Sequence, residues 1–186
     1  SFYLSEFIRA DASVAIAALR HARTSAQLLS GDGARAVERV AAAVGIQQAT
    51  GSCSPDGKLE RLRTLQKNGH RVAMVGDGLN DGPVLAAAHA SFAFGLAVPL
   101  AQAKSDFVVL GDQLQRVPQT LLLARKSLRI VRQNLGWAAA YNIICVPLAL
   151  AGLLPAWLAG LGMALSSLLV VLNAARLSRP LPGGDT

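Results

Sequence analysis

Acidic side chains are almost missing from the second part of this 186-residue chain. Residues 1–112 carry 11 basic and 10 acidic side chains, whereas residues 113–186 carry 7 basic and 1 acidic. The net charge of +7 therefore belongs to the C-terminal part. Aromatic residues make up only 5% of the chain and are not interleaved with the basic ones. A nucleic-acid surface wants both on one face, so no nucleic acid is expected as a partner. The only cysteines, Cys53 and Cys145, are too few and too far apart for a disulfide framework, and they are compatible with a reducing cytoplasm. His21, His70 and His89 are scattered and have no metal-ligand spacing. No signal peptide, internal repeat or low-complexity segment occurs, alanine richness apart. The chain opens on Ser1 rather than Met, as a fragment of a longer protein would.

Charge of either sign is also absent from Gln133 through Ala175, 43 positions divided by Pro155. Leu135–Leu154 and Ala156–Ala175 are each long enough to cross a hydrocarbon core as a helix, at about 1.5 Å per residue. Arg125, Lys126, Arg129 and Arg132 flank one end, and Arg176 and Arg179 the other, while the turn at Pro155 is uncharged. That asymmetry predicts a multi-pass cell-membrane protein with its soluble part and C-terminus in the cytoplasm, and membrane lipid as a partner. Two buried helices of a large soluble protein are the alternative.

The first 112 residues alternate strand-like and helix-like patterns, which predicts a parallel α/β sheet. Strands are expected at Phe2–Phe7, Gln27–Leu29, Val72–Val75, Ser91–Phe94 and Asp106–Leu110, with residues 45–50 a weak strand or loop. Helices are expected at Ala10–Arg23, Ala34–Val44, Lys58–Lys67 and Leu79–Ala88, and Ser54–Gly57 reads as a turn. The expected organisation is an α/β portion over 1–112, which the resemblance described below makes the C-terminal portion of a phosphorylation domain, a basic helix entering the membrane over 113–134, two transmembrane helices over 135–176 (about 135–154 and 156–175), and a disordered cytoplasmic tail over 177–186.

Three places in the soluble part carry chemistry. Ser30 and Asp32 follow the Gln27 strand, Lys58 begins a helix, and Asp77 and Asp81 follow the Val72 strand. Open α/β sheets put chemistry at the carboxyl ends of strands. Two acids there, with Gly78 freeing the backbone between them, suit Mg²⁺ held directly or through water. The plainer alternative is that Asp81 favours a helix N-terminus and Asp77 a turn. A hydroxyl, an ammonium and two carboxylates converging above one sheet edge would suit phosphoryl transfer. A nucleophile is missing, because no DKTG-like segment occurs. A dinucleotide-binding loop is a weaker reading, since Gly76-x-Gly78 lacks a third glycine.

Ser30-Gly31-Asp32, Pro55-Asp56-Gly57-Lys58 and Gly76-Asp77-Gly78-Leu79-Asn80-Asp81-Gly82-Pro83 resemble, in order and spacing, the later phosphorylation-domain motifs of P-type ATPases, which have the haloacid-dehalogenase-like fold. Tyr141-Asn142 and Met163-Ala164-Leu165-Ser166-Ser167 resemble the last two membrane helices of the heavy-metal-transporting branch, most nearly its copper subclass and the branch that supplies copper to cbb3-type oxidases. The resemblance covers about residues 1–177. It implies that Ser30 binds the aspartyl phosphate, Lys58 stabilises its charge, Asp77 coordinates Mg²⁺ and Asp81 supports that site. Gly78 and Asn80 belong to the same cofactor loop, and Asp32 helps close the actuator or nucleotide side. Tyr141, Asn142, Met163 and Ser167 would belong to the path of Cu(I). ATP would be bound mainly by upstream domains of the same transporter, and a copper chaperone is a further implied partner.

The departures from the family pattern are Ser30 for Thr, Gly82 for Ala and His89 for Asp. The phosphorylated aspartate is expected upstream of Ser1, so this part alone is expected to be inactive. Met163 is a soft ligand suited to Cu(I), and neither apolar helix has the carboxylate that a divalent ion would favour. Asn142 and Ser167 lie about 10 and 12 Å from the inner ends of their helices, nearly level. From the residues alone, the favoured reading is that they hydrogen-bond across the helices while Met163 fills a packing gap; the resemblance favours the metal path. The alternative function is a non-catalytic interaction or metal-binding module derived from such an ATPase.

Overall fold

The computed structural model describes residues 8–76, 81–94 and 99–178. The expected strand at Phe2–Phe7, the loop residues Asp77, Gly78 and Asn80, and the tail beyond Ser178 lie outside the described residues. The chain divides into two compact units between Pro118 and Gln119.

The first unit is built from short parallel strands. β1 (Gln27–Leu29) pairs with β2 (Gln48–Thr50), Gln27 opposite Gln48 and Leu29 opposite Thr50. β3 (Ala73–Gly76), β4 (Ala90–Phe94) and β5 (Phe107–Val109) form a second parallel sheet in that order. Parallel neighbours need crossover connections, and helices supply them. α1 (Ala12–His21) precedes β1; α2 (Ala34–Val44) joins β1 to β2, and α3 (Pro55–Lys67) joins β2 to β3. α4 (Gly82–Ala87) and α5 (Pro99–Ala103) make the next two crossovers. The weak 45–50 segment is thus a real strand, while α5 has too short a pattern to be seen by periodicity.

β4 carries the core. Ser91, Phe92, Ala93 and Phe94 are all buried, as in a strand covered on both faces. Ala93 packs with Leu85 of α4 and with Met74. Phe92 and Phe94 pack with Val109, Val117, Val75 and Leu114, and Phe92 stacks on Phe107 at 4.9 Å between ring centres. Each such side chain contributes about 1.5–3 kcal/mol when fully buried. The buried Ser91 receives no penalty, because its N–H and hydroxyl both donate to Asp106 Oδ2 at 2.8 Å. The N-terminal end is tied to the segment after β5. Arg9 pairs with Asp112 and lies 3.9 Å over the Phe94 ring, and the Gln115 N–H donates to Asp11 Oδ2.

Residues 54–57 are not a separate turn. Ser54 caps α3, its hydroxyl accepting from the Gly57 N–H at 3.1 Å, and Pro55 takes the first helical position. Pro at that position loses no helical hydrogen bond, so turn chemistry becomes the first turn of the helix. Gly69, in the left-handed region at φ 81°, closes the other end of α3. Gly82 proves to be the first residue of α4 and is buried there, where a small residue is tolerated better than in a helix interior. His89 also has a local role: its Nδ1 accepts from the Val72 N–H at 3.3 Å, and its N–H donates to the Val72 carbonyl.

The second unit is helical. α6 runs unbroken from Arg116 to Leu150 over 35 residues, Pro147 included, so no break separates its basic part from its apolar part. It ends four residues before the expected Leu154. Gly152 adopts φ 71°, the Leu153 N–H returns to the Leu148 carbonyl and the Gly152 N–H to that of Ala149. This paired closure needs a left-handed residue, and glycine supplies it without steric cost. α7 (Ala156–Ala174) starts after Pro155 and finishes in a 3-10 turn over Ala175–Leu177. Among the described residues one helical segment, Ala156–Leu177, is long and apolar enough to cross a membrane. The expected second crossing helix is not matched by a separate element, because Gln133, Asn134, Tyr141 and Asn142 dilute the apolar half of α6.

Candidate active site

β1 runs into a loop that holds candidate residues at its carboxyl end, and Asp81 follows β3 in the chain. The ladder of β1 continues one residue beyond the strand, where the Ser30 N–H donates to the Thr50 carbonyl. The chain then turns, and the Ser30 hydroxyl donates to Asp32 Oδ2 at 2.7 Å. Ser30 and Asp32 are therefore a bonded pair.

At the end of β3, Asp81 occupies the N-cap position of α4, but its carboxylate caps no backbone N–H. It accepts instead from Lys58 Nζ at 2.7 Å. Lys58 sits in the first turn of α3, and 23 residues of chain separate the two partners. The pair is largely shielded, with 15% of the Lys58 side chain and 11% of the Asp81 side chain exposed. In such a setting an ion pair persists because each charge is expensive to leave alone. Gly76 makes the approach possible: a Cβ there would stand 3.0 Å from Asp81 Oδ2.

A loop that the motifs did not flag joins the two pairs. The Ser52 N–H donates to the Asp32 carbonyl and the Cys53 N–H to the Ser30 carbonyl, at 2.6 and 2.9 Å. The same loop leads directly into the Ser54 cap and so to Lys58. Gly51 stands where a Cβ would meet the Ala34 Cα at 2.5 Å and the Asp32 carbonyl at 2.9 Å. Ser52 is held at φ 51°, a conformation that non-glycine residues seldom adopt. The signal in the sequence was a bare Thr50-Gly51-Ser52 beside a weak strand. Cys53 is half-buried and contributes through its backbone.

Among the described residues no three His, Cys, Asp or Glu side chains cluster as a metal cage. Mg²⁺ needs no such cage, since it is held by one or two carboxylates together with water and phosphate oxygens. Asp81 is a carboxylate held in place by Lys58, and Asp77 lies outside the described residues.

In the helical unit, α6 and α7 run antiparallel and are joined by polar contacts. Trp137 Nε1 donates to Ser166 Oγ at 3.2 Å, and the Tyr141 hydroxyl to the Ala159 carbonyl at 3.1 Å. Asn173 Nδ2 donates to Asn134 Oδ1 at 2.9 Å and to Gln133 Oε1 at 3.2 Å. Tyr141 thus faces α7, against Gly162, where a Cβ would meet its hydroxyl at 3.0 Å. Asn142, Met163 and Ser167 are exposed on faces away from this seam. The bonds across the helices are made by their sequence neighbours.

Comparison with known proteins agrees with this geometry. Residues 2–89 match the haloacid dehalogenase-like hydrolase family. The chain is 42% identical over 174 residues to the cation-transporting P-type ATPase B of Mycobacterium tuberculosis strain H37Rv, covering 94% of this chain and 23% of that protein. It is 40% identical over 176 residues to the copper-exporting P-type ATPase of Staphylococcus haemolyticus, covering 95% of this chain and 22% of that protein. A crystal structure of a zinc-transporting PIB-type ATPase in its E2.Pi state superposes with a TM-score of 0.87 at 31% identity, covering 94% of this chain and 29% of that one. The chain spans about a quarter of the length of the relatives it matches. On these likenesses, and with paired Ser30–Asp32 and Lys58–Asp81 groups, the chain is similar over nearly its whole length to a part of P-type ATPases, with a haloacid dehalogenase-like α/β domain in its first part.

Proposed function

We propose that this chain is part of an ATP-driven transporter that moves a heavy-metal cation, Cu(I), out of the cytoplasm through an aspartyl-phosphate intermediate. The observation that carries the reading is the shielded Lys58–Asp81 pair at the end of β3, in a chain that also holds the Ser30–Asp32 pair at the end of β1. The ammonium of Lys58 faces the charge that a phosphoryl group brings. The Ser30 hydroxyl, now donating to Asp32, can turn its proton toward a phosphate oxygen while Asp32 keeps its backbone contacts to the loop. Asp81 keeps the Lys58 ammonium in place. The phosphorylated aspartate would come from residues outside this chain, as would most of the ATP site. Asp77, with Asp81 supporting it, would hold Mg²⁺, which supplies charge neutralisation at the transferring phosphoryl group.

On the same reading, the apolar parts of α6 and α7 both cross the membrane, and their charged flanks keep both ends in the cytoplasm. The exposed faces bearing Asn142, Met163 and Ser167 would meet further helices of the transporter, and the Cu(I) path would lie there rather than in the α6–α7 seam. The soft thioether of Met163 and the lack of any carboxylate from Gln133 to Ala175 favour Cu(I) over a divalent ion. The copper-exporting relative supports the same cargo. A copper chaperone would deliver it, and supply of copper to a cbb3-type oxidase is the physiological setting that the sequence resemblance suggests.

The test is Asp77→Asn in the complete transporter. The variant should lose Mg²⁺-dependent phosphorylation by ATP and still bind Cu(I). Undiminished phosphoenzyme in this variant would overturn the assignment. Phosphorylation of the unaltered transporter that responds to Zn²⁺ and not to Cu(I) would overturn the cargo.

A further inference from the structure

One feature of the helical unit is used by neither the phosphate site nor the metal path. Between the C-terminal end of α7 and the middle of α6, where its charge-free part begins, lies a crevice of about 490 Å³. Gln133, Asn134 and Trp137 line it from α6, and Leu172, Asn173 and Arg176 from the α7 side. Its character is graded. Arg176 and the three amides form a polar end, and Trp137 and Leu172 an apolar one. The amides are bonded among themselves, and Arg176 Nη1 donates to Asn173 Oδ1 at 3.3 Å, so the guanidinium is held at the crevice by a neutral group. No carboxylate occurs anywhere from Gln113 to Gly184, so this unit's own described residues contain no anion for that charge.

We propose that the crevice binds the headgroup of an anionic phospholipid of the cytoplasmic leaflet, with its acyl chain along Trp137 and Leu172. The proposal rests on the reading that α6 and α7 cross the membrane. Three independent features converge on this occupant. A cation without an internal counter-ion calls for a negative group. The amides of Gln133, Asn134 and Asn173 surround it with donors and acceptors suited to phosphate and glycerol oxygens. The tryptophan beside them, half exposed, is the side chain that prefers the level of the headgroups. Basic pockets between membrane helices on the cytoplasmic side bind acidic headgroups by this chemistry. Such a lipid would clamp the open end of the α6–α7 pair, which the Asn173 bonds already begin to close.

The test uses the full chain in nanodiscs with Trp157→Phe, which leaves Trp137 as the single tryptophan of the two in the sequence. Fluorescence is quenched with acyl-brominated phosphatidylglycerol at a low mole fraction in phosphatidylcholine, and then with brominated phosphatidylcholine at the same fraction. The site predicts stronger quenching by phosphatidylglycerol than its mole fraction accounts for. Arg176→Gln should reduce that excess about fivefold. Arg176→Lys should retain most of it, and Arg129→Gln, outside the crevice, should leave it unchanged. Equal quenching by both lipids would overturn the site while leaving the membrane reading intact. No quenching by either would overturn both. An excess abolished by inorganic phosphate, and not by chloride at matched ionic strength, would assign the crevice to a free anion and overturn the lipid.

Discussion

The two units of this chain treat polar groups in opposite ways. The α/β unit joins charge to charge: Lys58 to Asp81 at the site, and Arg9 to Asp112 away from it. Among its described residues the α6–α7 unit has cations but no acids, and these contacts between the two helices are neutral: Trp137 to Ser166, Tyr141 to a carbonyl, and Asn173 to Asn134 and Gln133. Water at the rim of the first unit screens a misplaced charge, and a phosphate site needs charge in any case. If α6 and α7 cross a membrane, as proposed, their apolar surround offers no such screening, and neutral hydrogen bonds are the polar contacts it tolerates. The same contrast sets the size of mutational effects.

Lys58→Ala is the sharpest way to test the first half of the comparison. It strands a carboxylate on a side chain that is 11% exposed, and the α/β unit should lose about 3 kcal/mol. Urea unfolding followed by circular dichroism measures this, and Lys58→Ala combined with Asp81→Asn should recover part of the loss. A single variant as stable as the parent would mean that Asp81 is solvated and that the pair is not a shielded ion pair. Gly51→Ala comes next. A Cβ forced to within 2.5 Å of Ala34 should cost about 2 kcal/mol by the same measurement. If the loop carrying Ser52 and Cys53 positions the site, phosphorylation of the complete transporter should fall with it.

The neutral contacts of the helical unit should weigh less. Asn173→Leu removes two bonds across α6 and α7 and should cost about 1 kcal/mol, read as an increase in denaturant sensitivity of the helix pair in detergent. A loss as large as that of Lys58→Ala would erase the distinction between the units. Ser167→Ala should change the stability of the helix pair by no more than about 0.5 kcal/mol, since Ser167 is exposed and off the seam. If Ser167 serves the cation, its effect should appear in transport rather than in stability.

These contrasts also separate what was legible in the sequence from what was not. The parallel sheet followed from apolar runs ended by glycine-containing turns. The site followed from motifs whose spacing is set by strand ends. The extent of α3 was misread because Ser54-Pro55-Asp56-Gly57 is equally good chemistry for a turn and for a capped first helical turn; the Ser54–Gly57 bond selects the cap. The early end of α6 hung on Gly152 adopting a left-handed conformation, and Ala151 to Leu154 look no less helical by composition. On α7, spacing levelled Ser167 with Asn142 for a contact across the helices, whereas Ser166 makes the bond to Trp137 of α6 and Ser167 is exposed. Adjacent helical positions point about 100° apart, and only packing chooses between them.

The sequence by itself determined that this chain pairs a parallel α/β domain with an apolar stretch free of charge from Gln133 to Ala175, because hydrophobic period and charge distribution are properties of composition and order. It also singled out the candidate residues Ser30, Asp32, Lys58 and Asp81, through motifs that place a hydroxyl, an ammonium and carboxylates near strand ends. Only the tertiary structure decided that Lys58 reaches Asp81 across 23 residues, that Gly51 makes room for the loop between the two pairs, and that Ser166 rather than Ser167 meets α6. Those facts depend on distances between segments remote in sequence, which packing settles and local pattern does not encode.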